Sequence, residues 1–241
     1  MKLFRLIILL GCCFFHLNAS CVTYINTQID IRGANTLLLP NDTTLQSSQN
    51  TTIPQDIMIH TFDNSVVERN DFHQYTNWYE EDGNIQTFKL HPGDCNTRNE
   101  RKYCRIEAHT KLKMKKGEQH EFTATYNIMK CEEVVCIFQV FNSSVVHPQL
   151  YIKMLPNGDL RYQSRGNDPG LIDSNCLNKE FTLHIKDDGI NWHLFYNGDK
   201  IAEGPHQEKG LETVCEFRWG LYNNNIPSTE IYSTVKDVII K

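Results

Sequence analysis

After Phe15 the chain has no apolar run long enough to cross a bilayer, and nowhere a Cys-x-x-Cys pair. It also lacks a Gly-x-Ser-x-Gly elbow and a glycine-rich phosphate loop. These absences exclude a membrane helix, a dithiol redox motif, a zinc ribbon, the commonest serine-hydrolase elbow and a nucleotide-binding P-loop. Helical stripes are missing as well, since no segment keeps apolar residues at helical spacing for more than a few turns. Cations are the scarcer charge, with 24 Lys and Arg against 29 Asp and Glu, a formal net charge of −5. An acidic surface argues against nucleic acid or an anionic membrane held by bulk electrostatics. It leaves room for an anionic ligand in a locally basic cleft.

What is present begins with a leader. Lys2 and Arg5 precede the apolar run from Leu6 to Phe15, and Leu17-Asn18-Ala19-Ser20 supplies small residues for cleavage. Residues 1–20 read as a signal peptide, so the expectation is a secreted, extracellular protein. Cys12 and Cys13 would leave with it, and Cys21, Cys95, Cys104, Cys131, Cys136, Cys176 and Cys215 would remain. In an oxidising compartment these suggest disulfides. Cys95/Cys104 and Cys131/Cys136 are near neighbours, Cys176/Cys215 would be a longer bridge, and Cys21 is left over; spacing alone does not fix the pairing. Sequons at Asn41, Asn50 and Asn142 suggest glycosylation.

Residues 21–57 read as an N-terminal strand followed by an irregular, glycosylated segment rich in Asn, Thr, Ser and Gln. From 58 to 241 the chain reads as strands and turns. Asn157-Gly158 is expected to join a strand at 150–155 to one at 160–164, and Asn197-Gly198 to join 192–196 to 200–202, as tight primed turns. Asp188-Gly189 should join 181–186 to 190–196, with Leu183 facing Leu194, Ile185 facing Trp192 and Phe181 facing Tyr196. Ile201 joins the same apolar face. In that register His184 and His193 are opposite each other, as a solvated pair or part of a metal site. The fold class implied is all-β, an antiparallel β-sandwich or jelly roll (concanavalin-like) with a groove on a concave face.

The segment Arg105-Ile106-Glu107-Ala108-His109 carries the chemistry. On a strand, Arg105, Glu107 and His109 share one face and Ile106 and Ala108 the other. A cation, a carboxylate and an imidazole in a row pack a core poorly and suit a polar ligand, the plain alternative being a structural ion pair. Gln139 shares a face with Ile137 and Phe141, away from Phe138 and Val140. In Phe217-Arg218-Trp219-Gly220-Leu221-Tyr222, the apolar Phe217, Trp219 and Leu221 should enter the core. Arg218, Gly220 and Tyr222 then face outward, where the missing side chain of Gly220 would leave ligand room.

Arg105-Ile106-Glu107, Gln139-Val140-Phe141 and Phe217 to Tyr222 follow the order of three strands, R-x-E, Q-(I/V)-(H/F) and Y-F-K-x-G-x-Y. The turn Tyr196-Asn197-Gly198-Asp199-Lys200 matches the strand-Asn-Gly-Lys turn before the last of them. Over roughly 95–241 the chain thus resembles the alginate-lyase-type jelly-roll polysaccharide lyases and the related plant citrate-binding proteins. The resemblance implies β-elimination on a uronate-containing glycan, with no metal or cofactor. Arg105 and Gln139 would neutralise the substrate carboxylate, lowering the barrier to loss of the C5 proton. Tyr222 would act as acid, and as base if Arg105 and Arg218 depress its pKa. Glu107 and Arg218 would bind substrate, Arg218 standing where the family usually has Lys. The lyases commonly place a His base where this chain has Phe141, whereas the citrate-binding relatives show Phe. His109 is the candidate substitute base. Two expectations follow: a lyase acting on an acidic polysaccharide, or a lectin-like binder of such a glycan or of a small polycarboxylate.

Overall fold

Strands form where apolar and polar residues alternate. The computed structural model describes residues 53–98, 101–110, 115–142, 147–164, 169–207 and 215–241. The leader, Cys21, Asn41 and Asn50 lie outside the described residues. In chain order the strands are β1 (Ile57–His60), β2 (Val66–Glu68), β3 (Tyr79–Asp82), β4 (Ile85–Leu90), β5 (Asn96–Arg98), β6 (Arg101–Thr110), β7 (His120–Lys130) and β8 (Val135–Asn142). They continue as β9 (His147–Met154), β10 (Leu160–Ser164), β11 (Gly170–Asp173), β12 (Glu180–Asp187), β13 (Asn191–Tyr196), β14 (Asp199–Pro205), β15 (Cys215–Asn223) and β16 (Ile231–Ile240). A short 3-10 helix, Arg69–Tyr75, follows β2.

The larger sheet has the order β11-β10-β9-β8-β15-β6-β1-β2, with β5 also paired to β6. The smaller has the order β14-β13-β12-β7-β16-β4-β3, and the pairings of both sheets are antiparallel. They pack face to face as a jelly-roll sandwich. Phe122 of β7 meets Phe138, Trp219 and Phe217 of the opposite sheet with ring centroids 4.7, 5.3 and 5.8 Å away. Each such ring contributes about 1.5–3 kcal/mol by leaving water, an upper range for a compact unfolded state. One polar chain crosses this core: Trp219 Nε1 donates to Gln86 Oε1 (2.8 Å), and Gln86 Nε2 to the Tyr79 hydroxyl (2.6 Å). Satisfied in this way, the buried amide costs little.

The turns fall near their expected places, with instructive shifts. Asn197-Gly198 is a two-residue turn with positive φ at both residues, and Tyr196 pairs with Asp199 as its primed geometry requires. Around Asn157-Gly158 the loop is one residue longer: Leu155 N bonds Asp159 O, and Gly158 alone takes positive φ. Near Asp188 the turn is centred on Gly189-Ile190, because the Asp188 carboxylate accepts the backbone N–H of both Ile190 and Asn191. The β12–β13 register therefore moves by two: Ile185 pairs with Leu194, and Leu183 with Tyr196. A two-residue slip preserves the buried face. It separates the two histidines, however. His184 pairs with Phe195 and contacts Glu121, while His193 pairs with Lys186 and contacts Glu203, so they form no joint site. A bulge between Leu194 and Phe195 puts Ala202 beside Leu194 and leaves Ile201 exposed, against the expectation for Ile201.

Cys95 and Cys104 form a disulfide. Cys131, Cys136, Cys176 and Cys215 are buried free thiols, which corrects both other pairings. The reason is placement. Cys131 belongs to the core, whereas Cys136 lies opposite Tyr222 and Lys153 at the edge of the core. Cys176 abuts the Tyr196 hydroxyl, and Cys215 abuts His206. Asn142 is corrected too: at the end of β8 it is fully buried, which leaves no room for a glycan on its amide.

Candidate functional site

In the larger sheet β15 lies between β8 and β6, which brings three sequence-distant segments side by side. Tyr222 pairs with Arg105, Gly220 with Glu107, and Arg218 with both His109 and Gln139. Ile106, Ala108, Phe138, Val140, Phe217, Trp219 and Leu221 occupy the core. Strand alternation turns Arg105, Glu107, His109, Gln139, Arg218 and Tyr222 outward, into one trough.

Glu107, 2% exposed, is its hub. Gln139 Nε2 donates to Glu107 Oε1, and Arg105 Nη1 lies 3.9 Å from Glu107 Oε2. Arg105 Nη2 donates to Asn64 Oδ1 at 2.6 Å, and its guanidinium sits 5.2 and 5.9 Å from the rings of Tyr103 and Tyr222. Arg105, Gln139 and Tyr222 are thus gathered around one carboxylate. At the other end Arg218 Nε donates to Glu216 Oε1 at 2.7 Å, and Glu216 Oε2 is 3.6 Å from His109 Nδ1. The ring of His60 of β1 lies against that of His109, tilted by 31° with centroids 4.6 Å apart. Among the described residues Glu107 Oε2, Arg105 Nε and His60 Nδ1 are buried without a hydrogen-bond partner. Such atoms are expensive to leave bare. Half-buried Tyr103, Phe141, Tyr151, Lys153 and Tyr222 border this cluster.

The electrostatics separate the roles. Burial raises the pKa of Glu107 from its ordinary value, against the pull of Arg105, Arg218 and Gln139. Burial also pushes Glu216 up, but the bonds and charges of His109 and Arg218 outweigh it and hold Glu216 below its ordinary value. Burial, with the charges of Arg218, Arg105 and His109, lowers His60 to about 2, so that imidazole is neutral. Tyr222 is raised by burial and by Glu107, with Arg105 only partly offsetting them. The condition for Tyr222 to serve as base, a depressed pKa, is therefore not met: the phenol keeps its proton and suits an acid or donor.

Two more expectations are corrected. Gly220 has φ of 122° at a β15 bulge, and an added Cβ there would meet Ile106 O at 2.6 Å and Phe88 Cδ1 at 2.8 Å. Phe88 is a core residue, so the glycine serves core packing and not ligand room. His109 is in the trough but not beside Tyr222. Its register partner is Arg218, and Arg105, the partner of Tyr222, lies about 13 Å away along β6 at ordinary strand rise. Its imidazole leans toward Glu216 while the Tyr222 hydroxyl donates to Asn224 Oδ1 at 2.6 Å. An acid and a base acting on adjacent atoms of one sugar must converge, and these two point apart. Sequence reading missed Glu216, His60 and Asn64. Glu216 was legible from the alternation of β15, whereas His60 and Asn64 enter only through the pairing of β1 with β6 and the turn that follows β1.

This sheet order defines an antiparallel jelly-roll sandwich, a fold shared with solved alginate lyases. Among solved structures it is similar to alginate lyase AlgAT5 from polysaccharide lyase family 7, at 18% identity and TM-score 0.65, covering 78% of this chain and 94% of that one. The alginate lyase from Corynebacterium sp. is similar at 15% identity and TM-score 0.65, covering 78% and 94%. Alginate lyase PA1167 from Pseudomonas aeruginosa is similar at 13% identity and TM-score 0.65, covering 78% and 98%. At these identities the likeness is one of fold. No protein-family profile and no curated protein matches the sequence.

Proposed function

We propose that this protein is secreted and binds the carboxylates of an acidic, uronate-bearing polysaccharide in the trough of its larger sheet, without cleaving it. The leader at residues 1–20 supports export. One observation carries the binding reading. Arg105, Gln139 and the phenol of Tyr222 gather as donors, while the candidate base His109 stands beside Arg218 and Glu216 and not beside the phenol. Phe141, where the resembled lyases place an imidazole, lies under Arg218 instead. Tyrosine rings and Lys153 along the margin suit sugar faces and a neighbouring carboxylate. Calorimetry with defined oligomannuronate, oligoguluronate and oligoglucuronate tests this reading. Heat of binding should be seen with at least one of them and be lost in Arg105→Ala, while absorbance of unsaturated product stays flat. Absence of binding across all three would overturn it.

A second reading, β-elimination, draws support from the same phenol, which is already held as an acid beside the carboxylate-binding pair. Growth of the unsaturated chromophore with alginate or glucuronan, abolished by Tyr222→Phe, would replace binding by catalysis.

A further inference from the structure

Behind β15, on the face away from the trough, three side chains meet that the acidic-glycan reading does not use. Asp187 ends β12, His206 follows β14, and Cys215 opens β15. All three are buried, and their donor atoms lie within 4.8 Å of one another. We propose that His206 and Cys215 bind a divalent thiophilic cation of the zinc type, with Asp187 orienting the imidazole.

The geometry sets the tautomer. Asp187 Oδ2 is 2.7 Å from His206 Nε2, and its other oxygen accepts the Gly189 N–H at 2.8 Å. A carboxylate can only accept, so Nε2 carries a proton, and in the neutral ring the Nδ1 lone pair emerges on the far side. Cys215 Sγ stands there, 3.8 Å from Nδ1. Carboxylate–imidazole–metal is the usual order when a histidine is a ligand, because the carboxylate fixes the ring and raises its basicity. Zinc bonds of about 2.3 Å to sulfur and about 2.0 Å to nitrogen place two such donors somewhat under 4 Å apart at an open angle. The 3.8 Å between Sγ and Nδ1 matches that spacing.

Charge points the same way. Among the described residues His206 is the one basic group within ion-pair distance of the buried Asp187 carboxylate. A divalent cation, a thiolate and a carboxylate sum to zero, whereas a monovalent cuprous ion would leave one negative charge. Binding forms a metal–sulfur bond and breaks the S–H bond, and the proton passes to buffer. A thiol gives up its proton on becoming a ligand, so one proton should be released per ion bound. Sequence reading anticipated no metal because the ligands are dispersed, His206 lying 19 residues after Asp187 and 9 before Cys215.

The test uses the full secreted chain stripped with a chelator. Calorimetry with Zn²⁺ in buffers of different ionisation enthalpy should give one ion and one proton per chain, and the melting temperature should rise. Cys215→Ser should abolish binding, Asp187→Asn should weaken it about 10–100-fold, and Cys176→Ser should leave it intact. Co²⁺ added to the unmodified protein should give a thiolate-to-metal absorption band, a readout that needs no variant to fold. No binding of Zn²⁺, or Co²⁺ binding with no thiolate band, or binding unchanged in Cys215→Ser would overturn the assignment and leave an ordinary S–H to nitrogen hydrogen bond.

Discussion

Arg218 lays its guanidinium 3.7 Å from the centre of the Phe141 ring. This contact joins the two departures from the resembled lyase strands, Phe for His and Arg for Lys, into one arrangement. A planar cation stacks on an aromatic face in a way a compact ammonium beside an imidazole would not. The trough end that would hold a base in the lyases is occupied here by a packed cation.

Phe141→Leu keeps an apolar side chain but removes the ring face. It should cost about 1 kcal/mol in chemical denaturation, the scale of a partly desolvated cation–π contact. A matching loss in Arg218→Lys, with no further loss in the double variant, would assign the energy to the pair.

His60 ionises in the unfolded chain near 6.5 but is held to about 2 in the folded state. The unfolded state therefore takes up the proton first, and stability present above pH 6.5 falls as the pH drops below it. The slope should approach about 1 kcal/mol per pH unit between pH 6 and 5, above the range where most carboxylates titrate. Urea denaturation of His60→Leu over this interval should show a flatter profile than the unmodified protein.

The Cys95–Cys104 bridge closes a loop with sequence separation 9. Replacing both residues by Ser should lower stability by about 2–3 kcal/mol through the unfolded chain. Under denaturant, alkylation followed by peptide mass analysis should label Cys131, Cys136, Cys176 and Cys215 and spare Cys95 and Cys104.

Gly220→Ala forces a Cβ against Ile106 O and the Phe88 ring at a left-handed φ. A loss above about 2 kcal/mol is expected in the same denaturation assay, with little recovered by Phe88→Leu because the backbone oxygen remains.

Apart from Gly220 at its bulge, the side-chain faces of the strands at 105–109, 139–141 and 217–222 were legible in the sequence, as was the Asn197-Gly198 turn. So were the members of the trough: Arg105, Glu107, His109, Gln139, Arg218 and Tyr222 do share one surface. The β12–β13 register was not legible, because the Asp188 side chain moved the turn by capping the N–H groups after it. The direction of the Tyr222 shift was not legible either, since it depends on how deeply neighbouring strands bury the phenol.

The sequence by itself determined which residues face together, because the two-residue alternation of a strand is a local property of the backbone. The tertiary structure alone decided who meets whom across strands: Phe141 under Arg218, Cys215 beside His206 and Asp187, and Cys131 away from Cys136. Those meetings depend on register, bulges and the stacking of two sheets, which are set by contacts between segments far apart in the chain.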